Sequence, residues 1–169
     1  MNKKAQTPED LIYMVVFFLA FGLMALVGSY AYSQIKDAAM DVEMMNSSSI
    51  VVASLDAGTT VSNLTDYVFL FIFIGFGIAI WIIAYFIPSQ PIIITLYVIA
   101  MVIGGLISSI MQYVWEQISQ STNFIAITNN NMLLTNHVLT NLVLYYVIIG
   151  AIGMIILFGK QSKTQEQML

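Results

Sequence analysis

The side chains that can carry chemistry are few in this sequence, and their types narrow the field at once. There is one histidine, His137, and no cysteine. A histidine metal cluster, a thiolate nucleophile, a disulfide framework and a cysteine-held zinc or iron–sulfur centre are therefore excluded. Glu116 and His137 are the acid and imidazole that the apolar pattern brings to the same side, where they can meet and titrate together. The plainer reading makes both ordinary interfacial residues. Arginine is absent and the formal net charge is −4, so no basic patch exists to hold phosphates, and nucleic acid is not an expected partner. No acid, serine or lysine constellation reads as catalytic. The expectation is a non-enzymatic protein with no cofactor and no metal.

What must position these residues is almost entirely apolar. Only 8% of the 169 residues are charged, against about 25% in a soluble domain, so a water-facing surface cannot be covered. Mean hydropathy is +0.87. A bilayer core of about 30 Å asks for about 20 apolar residues per helix. Four stretches qualify: 11–32, 67–87, 92–115 and 138–158, none of them holding Asp, Glu, Lys, Arg or His. Their apolar runs are continuous rather than alternating, which selects helices over a membrane β-barrel. The predicted fold is all-α, a polytopic integral membrane protein with four transmembrane helices. The first run is longer than the apolar core of a typical signal peptide, although Ala25, Ser29 and Ala31 imitate a cleavage site.

Lysines set the orientation. Lys3 and Lys4 precede span one, and Lys160 and Lys163 follow span four. The segment 33–66 holds one lysine, Lys36, against Asp37, Asp41, Glu43, Asp56 and Asp66. Positive residues stay on the cytoplasmic side, so the N-terminus (1–10) and the tail (159–169) are expected inside. The segments 33–66 and 116–137 are then outside. Asn46 and Asn63 begin two sequons in the first of these and are its candidate glycosylation sites.

Pro88-Ser89-Gln90-Pro91 puts two prolines into a four-residue link, 88–91, which predicts a tight antiparallel hairpin of spans two and three. Ile35, Ala38, Ala39, Val42 and Met45 recur at helical spacing, so span one should continue outward as an amphipathic helix packed over that hairpin. Asp56-Ala57-Gly58-Thr59-Thr60 reads as a turn, as does Asn129-Asn130-Asn131 within a polar outer loop. The chain reads as free of internal repeats and of inverted halves, which argues against a transporter. Tyr30, Tyr32, Tyr113 and Trp115 fit an outer interfacial belt, and Tyr13, Trp81 and Tyr85 an inner one.

Small residues stand four apart in three spans: Ala25 and Ser29, Gly75 and Ala79, Gly104 and Ser108 beside Gly105 and Ser109. That spacing lets helix backbones approach closely. Ser29, Thr95, Ser108, Ser109, Gln112, Thr140 and Asn141 are the polar residues available to a pore, with Ser108, Gln112 and Asn141 its foremost lining candidates. Serine and threonine serve as helix–helix glue more often than as pore lining.

Lys3-Lys4-Ala5-Gln6, then Glu9-Asp10 and a long apolar helix, resembles an archaeal prepilin-type signal over residues 1–25. The resemblance implies peptidase cleavage after Ala5 and an archaeal or archaeal-virus setting. The body departs from that family, since pilins have one membrane helix. The composite expectation is a multi-pass protein of a cell or virion membrane, a structural or assembly component. Its partners would be the bilayer and other membrane proteins, or itself as a homo-oligomer. The rivals are a small oligomeric pore of holin type and an accessory subunit of a membrane enzyme complex.

Overall fold

The computed structural model describes residues 9–42, 47–86 and 91–166. These form six helices: α1 (Glu9–Met40), α2 (Ser49–Phe86), α3 (Pro91–Ser119), α4 (Ile125–Asn131), α5 (Leu133–Thr140) and α6 (Leu142–Glu166). Four of them, α1, α2, α3 and α6, are long and apolar enough to cross a membrane. The all-α expectation and its four apolar helices therefore stand. Ala5, Asn46, the link residues Pro88 to Gln90 and the end of the tail lie outside the described residues.

Two helices outrun any bilayer. At 1.5 Å per residue, the 32 residues of α1 span about 48 Å and the 38 of α2 about 57 Å. Span one continues without a break beyond Tyr32, as the spacing predicts. The turn read at 56–60 is absent, because those residues lie inside α2. Two features reconcile them with helix. The Thr59 and Thr60 hydroxyls bond back to the carbonyls of Leu55 and Asp56, so they compete less with the backbone ladder. Gly58 lies where a Cβ would strike the Tyr32 ring, and the Tyr32 hydroxyl donates to the Leu55 carbonyl. Lys36 adds a bond to Thr59 at 2.9 Å and an ion pair with Asp56 at 3.5 Å. The outward extensions of α1 and α2 therefore brace each other. Among its described residues the amphipathic face is largely open: Ile35 is 64% exposed and Val42 46%. The segment 116–137 is mostly helical too, since Asn129, Asn130 and Asn131 form the end of α4.

Within the bundle, α1 and α6 each pack against both α2 and α3, whereas α2 and α3 are not a packed pair among the described residues. Spans two and three therefore lie diagonally in the bundle among the described residues, and the 88–91 link of the expected hairpin lies outside them. A short link fixes only where two helix ends lie. Lateral neighbours are chosen by fit, and both helices fit α6 better than each other. Gly77 of α2 admits Ile149 of α6, whose carbonyl accepts the Trp81 indole N–H at 3.0 Å. The α1–α2 contact is aromatic. Phe18 meets Phe69, Phe73 and Phe76 edge-on, with centroids 5.0–5.6 Å apart. Edge-to-face pairs add about 0.5–1.5 kcal/mol each beyond their buried area.

Candidate functional site

Polar side chains in the bundle gather in two places. The first is the junction of α3, α5 and α6 with the middle of α2. Span four is not one helix: its first residues belong to α5, and the backbone breaks at Asn141, with φ −114° and ψ 27°. Side chains with local alternatives cause the break. The Asn141 amide donates to the His137 carbonyl at 2.9 Å, and the Thr140 hydroxyl reaches Asn136 Oδ1 at 3.2 Å. A break strands backbone donors at the start of α6, which hydrocarbon would not satisfy. Gln112 of α3 meets one of them, its Oε1 accepting from the Val143 N–H at 3.4 Å. Its Nε2 donates to Glu116 at 3.1 Å. Trp115, fully buried, donates from its indole to Asn136 Oδ1 at 3.0 Å.

Asp66 secures the other end of α5. The N-cap position of α5 is Met132, which has no side-chain bond to offer. Asp66 supplies the cap from another helix. Its two oxygens accept from the Leu134 N–H at 2.9 Å and the Thr135 N–H at 2.7 Å. These are the second and third residues of α5, the donors a capping side chain ordinarily serves. A carboxylate there also complements the positive end of the helix dipole. Asp66 is buried. Thr135 Oγ1 is buried without a partner among the described residues.

The second place is the α3–α6 contact, where two tyrosines exchange reciprocal bonds. Tyr97 of α3 donates to the Gly150 carbonyl of α6, and Tyr146 of α6 donates to the Ala100 carbonyl of α3, both at 3.1 Å. A helix carbonyl is normally covered by the side chain three or four positions on. Here those positions are Gly153 and Gly104. A Cβ at Gly153 would collide with the Tyr97 hydroxyl, and one at Gly104 with that of Tyr146. The two glycines thus open the carbonyls that the tyrosines reach. The sequence carries a signal for this arrangement that a search for long repeats misses. Residues 97–104 read Tyr-Val-Ile-Ala-Met-Val-Ile-Gly, and residues 146–153 read Tyr-Val-Ile-Ile-Gly-Ala-Ile-Gly. Five of the eight positions coincide, a pattern too short to make a structural repeat.

The remaining sequence candidates divide by face. Ser29 is buried and pairs with Ser62 at 2.9 Å across α1 and α2, and Ala25 is half-buried nearby. Ser108 is buried and bonds back to the Gly104 carbonyl at 2.7 Å. Gly75 and Gly105 have nothing within 4 Å of a Cβ, Ser109 is exposed and Ala79 half-buried. Of the pore candidates, Ser108 and Asn141 bond back to carbonyls four residues earlier, and Gln112 joins α3 to α6. Glu116 and His137 do not pair: Glu116 takes the Gln112 amide, and the His137 ring lies edge-on to Tyr145. Trp115, Trp81 and Tyr32 leave the interfacial belt for specific bonds, whereas Tyr13, Tyr85 and Tyr113 stay exposed. Asn63 lies on an exposed face inside α2.

An apolar void of about 10 Å³ lies between α1, α2 and α6, lined by residues including Phe18, Phe73 and Tyr146. A space that small and apolar holds no substrate. Chemically, the two polar clusters do one thing: they spend hydrogen bonds on joining helices. No protein-family model, curated protein or solved structure matches the chain, so its function is argued from this geometry.

Proposed function

We propose that the chain is a non-enzymatic, four-span membrane protein that acts through protein–protein contact. It serves as a structural or assembly component of a cell envelope, a viral membrane or a larger membrane complex. The observation that carries this reading is where its polar and apolar groups point. Inward polar groups, from Asp66 to the Tyr97–Tyr146 pair, bind helices to helices. Large apolar side chains remain exposed on the outer extensions, where Ile50 is 77% exposed and Val61 62%. Within the bilayer, lipid covers such groups. Beyond it, exposed apolar surface marks a contact site.

Both termini lie on the cytoplasmic side in this reading, because four of the five lysines flank spans one and four. The absence of native cysteine permits a direct check. Gln120→Cys, exposed in the second segment expected outside, labels with an impermeant thiol reagent in intact cells, and Ser162→Cys labels only after permeabilisation. The reverse pattern would invert the orientation.

Purified and reconstituted into liposomes at high protein-to-lipid ratio, the protein passes no ions. A permeation path needs fixed charges, carbonyl rings or a wet cavity, and the Ser108, Gln112 and Asn141 side chains already hold hydrogen bonds within the chain. Reproducible flux abolished by Asn141→Leu or Ser108→Leu, with oligomeric state unchanged, would overturn the contact reading in favour of a pore.

A further inference from the structure

The outward face of α2 carries a regular pattern. Ile50, Ser54, Ala57, Val61, Leu64 and Val68 alternate at spacings of four and three, and every one is exposed. The same alternation runs on through the span to Ile82, past Gly75, where a Cβ would meet nothing within 4 Å. A strict 3.5-residue period is the seam of a coiled coil. The opposite face of α2, including Ser62, Asp66, Phe69 and Phe73, is the buried one.

We propose that this face is a homodimer seam, on which α2 of a second copy docks in parallel. The proposal rests on the contact-driven reading above and names its partner. Three observations choose the occupant. First, Ser49 to Asp66 rises about 27 Å beyond the start of span two, so lipid does not cover Ile50, Ser54 and Ala57. Second, two copies in one membrane share an orientation, so a two-fold axis sets each seam residue against itself. Any charge on the seam or beside it would oppose its own copy. The flanking positions 51, 53, 58, 60, 65 and 67 carry none. The two charges of α2 point elsewhere: Asp66 is buried on the opposite face, and Asp56 pairs with Lys36. Third, Gly75 is open where the two helices would pass within the bilayer, and glycine permits close approach there.

Single cysteines in the full-length chain, oxidised mildly in native membranes, test the seam. Ala57→Cys, Val61→Cys and Leu64→Cys form a disulfide-linked dimer, whereas Asp56→Cys and Asn63→Cys, equally exposed but off the seam, do not. Equal crosslinking at all five positions, or none at any, overturns the proposal. A charge pair provides an independent arm at an exposed site that leaves the fold intact. Ala57→Lys and Ala57→Glu are each monomeric alone, and they form a mixed dimer when expressed together. Failure of the mixed dimer to form also overturns it. A photoreactive maleimide on Leu64→Cys distinguishes a second copy from any other occupant of the face. An adduct with a different protein removes the second copy but keeps the contact reading. Lipid adducts alone remove both.

Discussion

Gly104→Leu will cost the bundle about 3 kcal/mol, whereas Gly105→Leu, one residue away, will leave its stability unchanged. Both glycines sit in the same run of small residues, yet only one faces a neighbour. A Cβ at Gly104 lands on the Tyr146 hydroxyl, and one at Gly105 meets nothing within 4 Å. Overpacking a fitted contact costs about 1–3 kcal/mol. The leucine also evicts Tyr146 from the Ala100 carbonyl, forfeiting a bond worth about 1 kcal/mol and leaving a buried hydroxyl to find another partner. Because the contact is reciprocal, Gly153→Leu should have a comparable effect through Tyr97. Thermal unfolding in mild detergent measures all three variants. Equal melting temperatures for Gly104→Leu and wild type would show that the α3–α6 contact is not formed as described.

Asp66→Ala should be nearly as damaging but local. Removing the carboxylate strands the Leu134 and Thr135 N–H groups, and each unsatisfied buried donor costs about 1–3 kcal/mol. The dipole contribution at the start of α5 is lost with it. α5 is short, and its N-cap residue makes no side-chain bond, so no local group replaces the lost cap. Hydrogen exchange over residues 125–140 should therefore accelerate strongly, while the α3–α6 contact stays protected. Asp66→Asn, which keeps one acceptor, should fall between alanine and wild type. Unchanged exchange in Asp66→Ala would mean that packing by Leu139 and Trp115, both fully buried, holds α5 unaided.

These two residues show where the sequence was legible and where it was not. Asp66 reads, in one dimension, as one more outside acid at the edge of a span. Its burial and its bonds to residues 134 and 135 depend on a contact 68 positions away, and no local spacing encodes that. Gly104 and Gly105 have the same local context, and only the direction of the α6 neighbour separates them. Tyr97 and Tyr146 had a signal in the paired eight-residue pattern, but its meaning needed the two helices laid side by side.

The sequence by itself determined what the solvent dictates. Continuous apolar runs of bilayer length, with charges at their margins, leave a chain no alternative to closing its backbone bonds within each segment, so the four long helices were readable from composition and length. The helical extension of span one was readable from its periodicity for the same reason. Tertiary structure decided everything that depends on which face meets which. It overrode the turn signal at 56–60, where Tyr32 fills the space beside Gly58 and two threonines bond back along the helix. It broke span four at Asn141, where Gln112 of α3 satisfies a freed donor. It also chose the lateral partners of spans two and three, which are α1 and α6 for both. A bilayer rewards every apolar face alike and so leaves lateral choice open. Helix partners are then selected by steric fit and by the few polar bonds available, and those are properties of pairs of surfaces rather than of one segment.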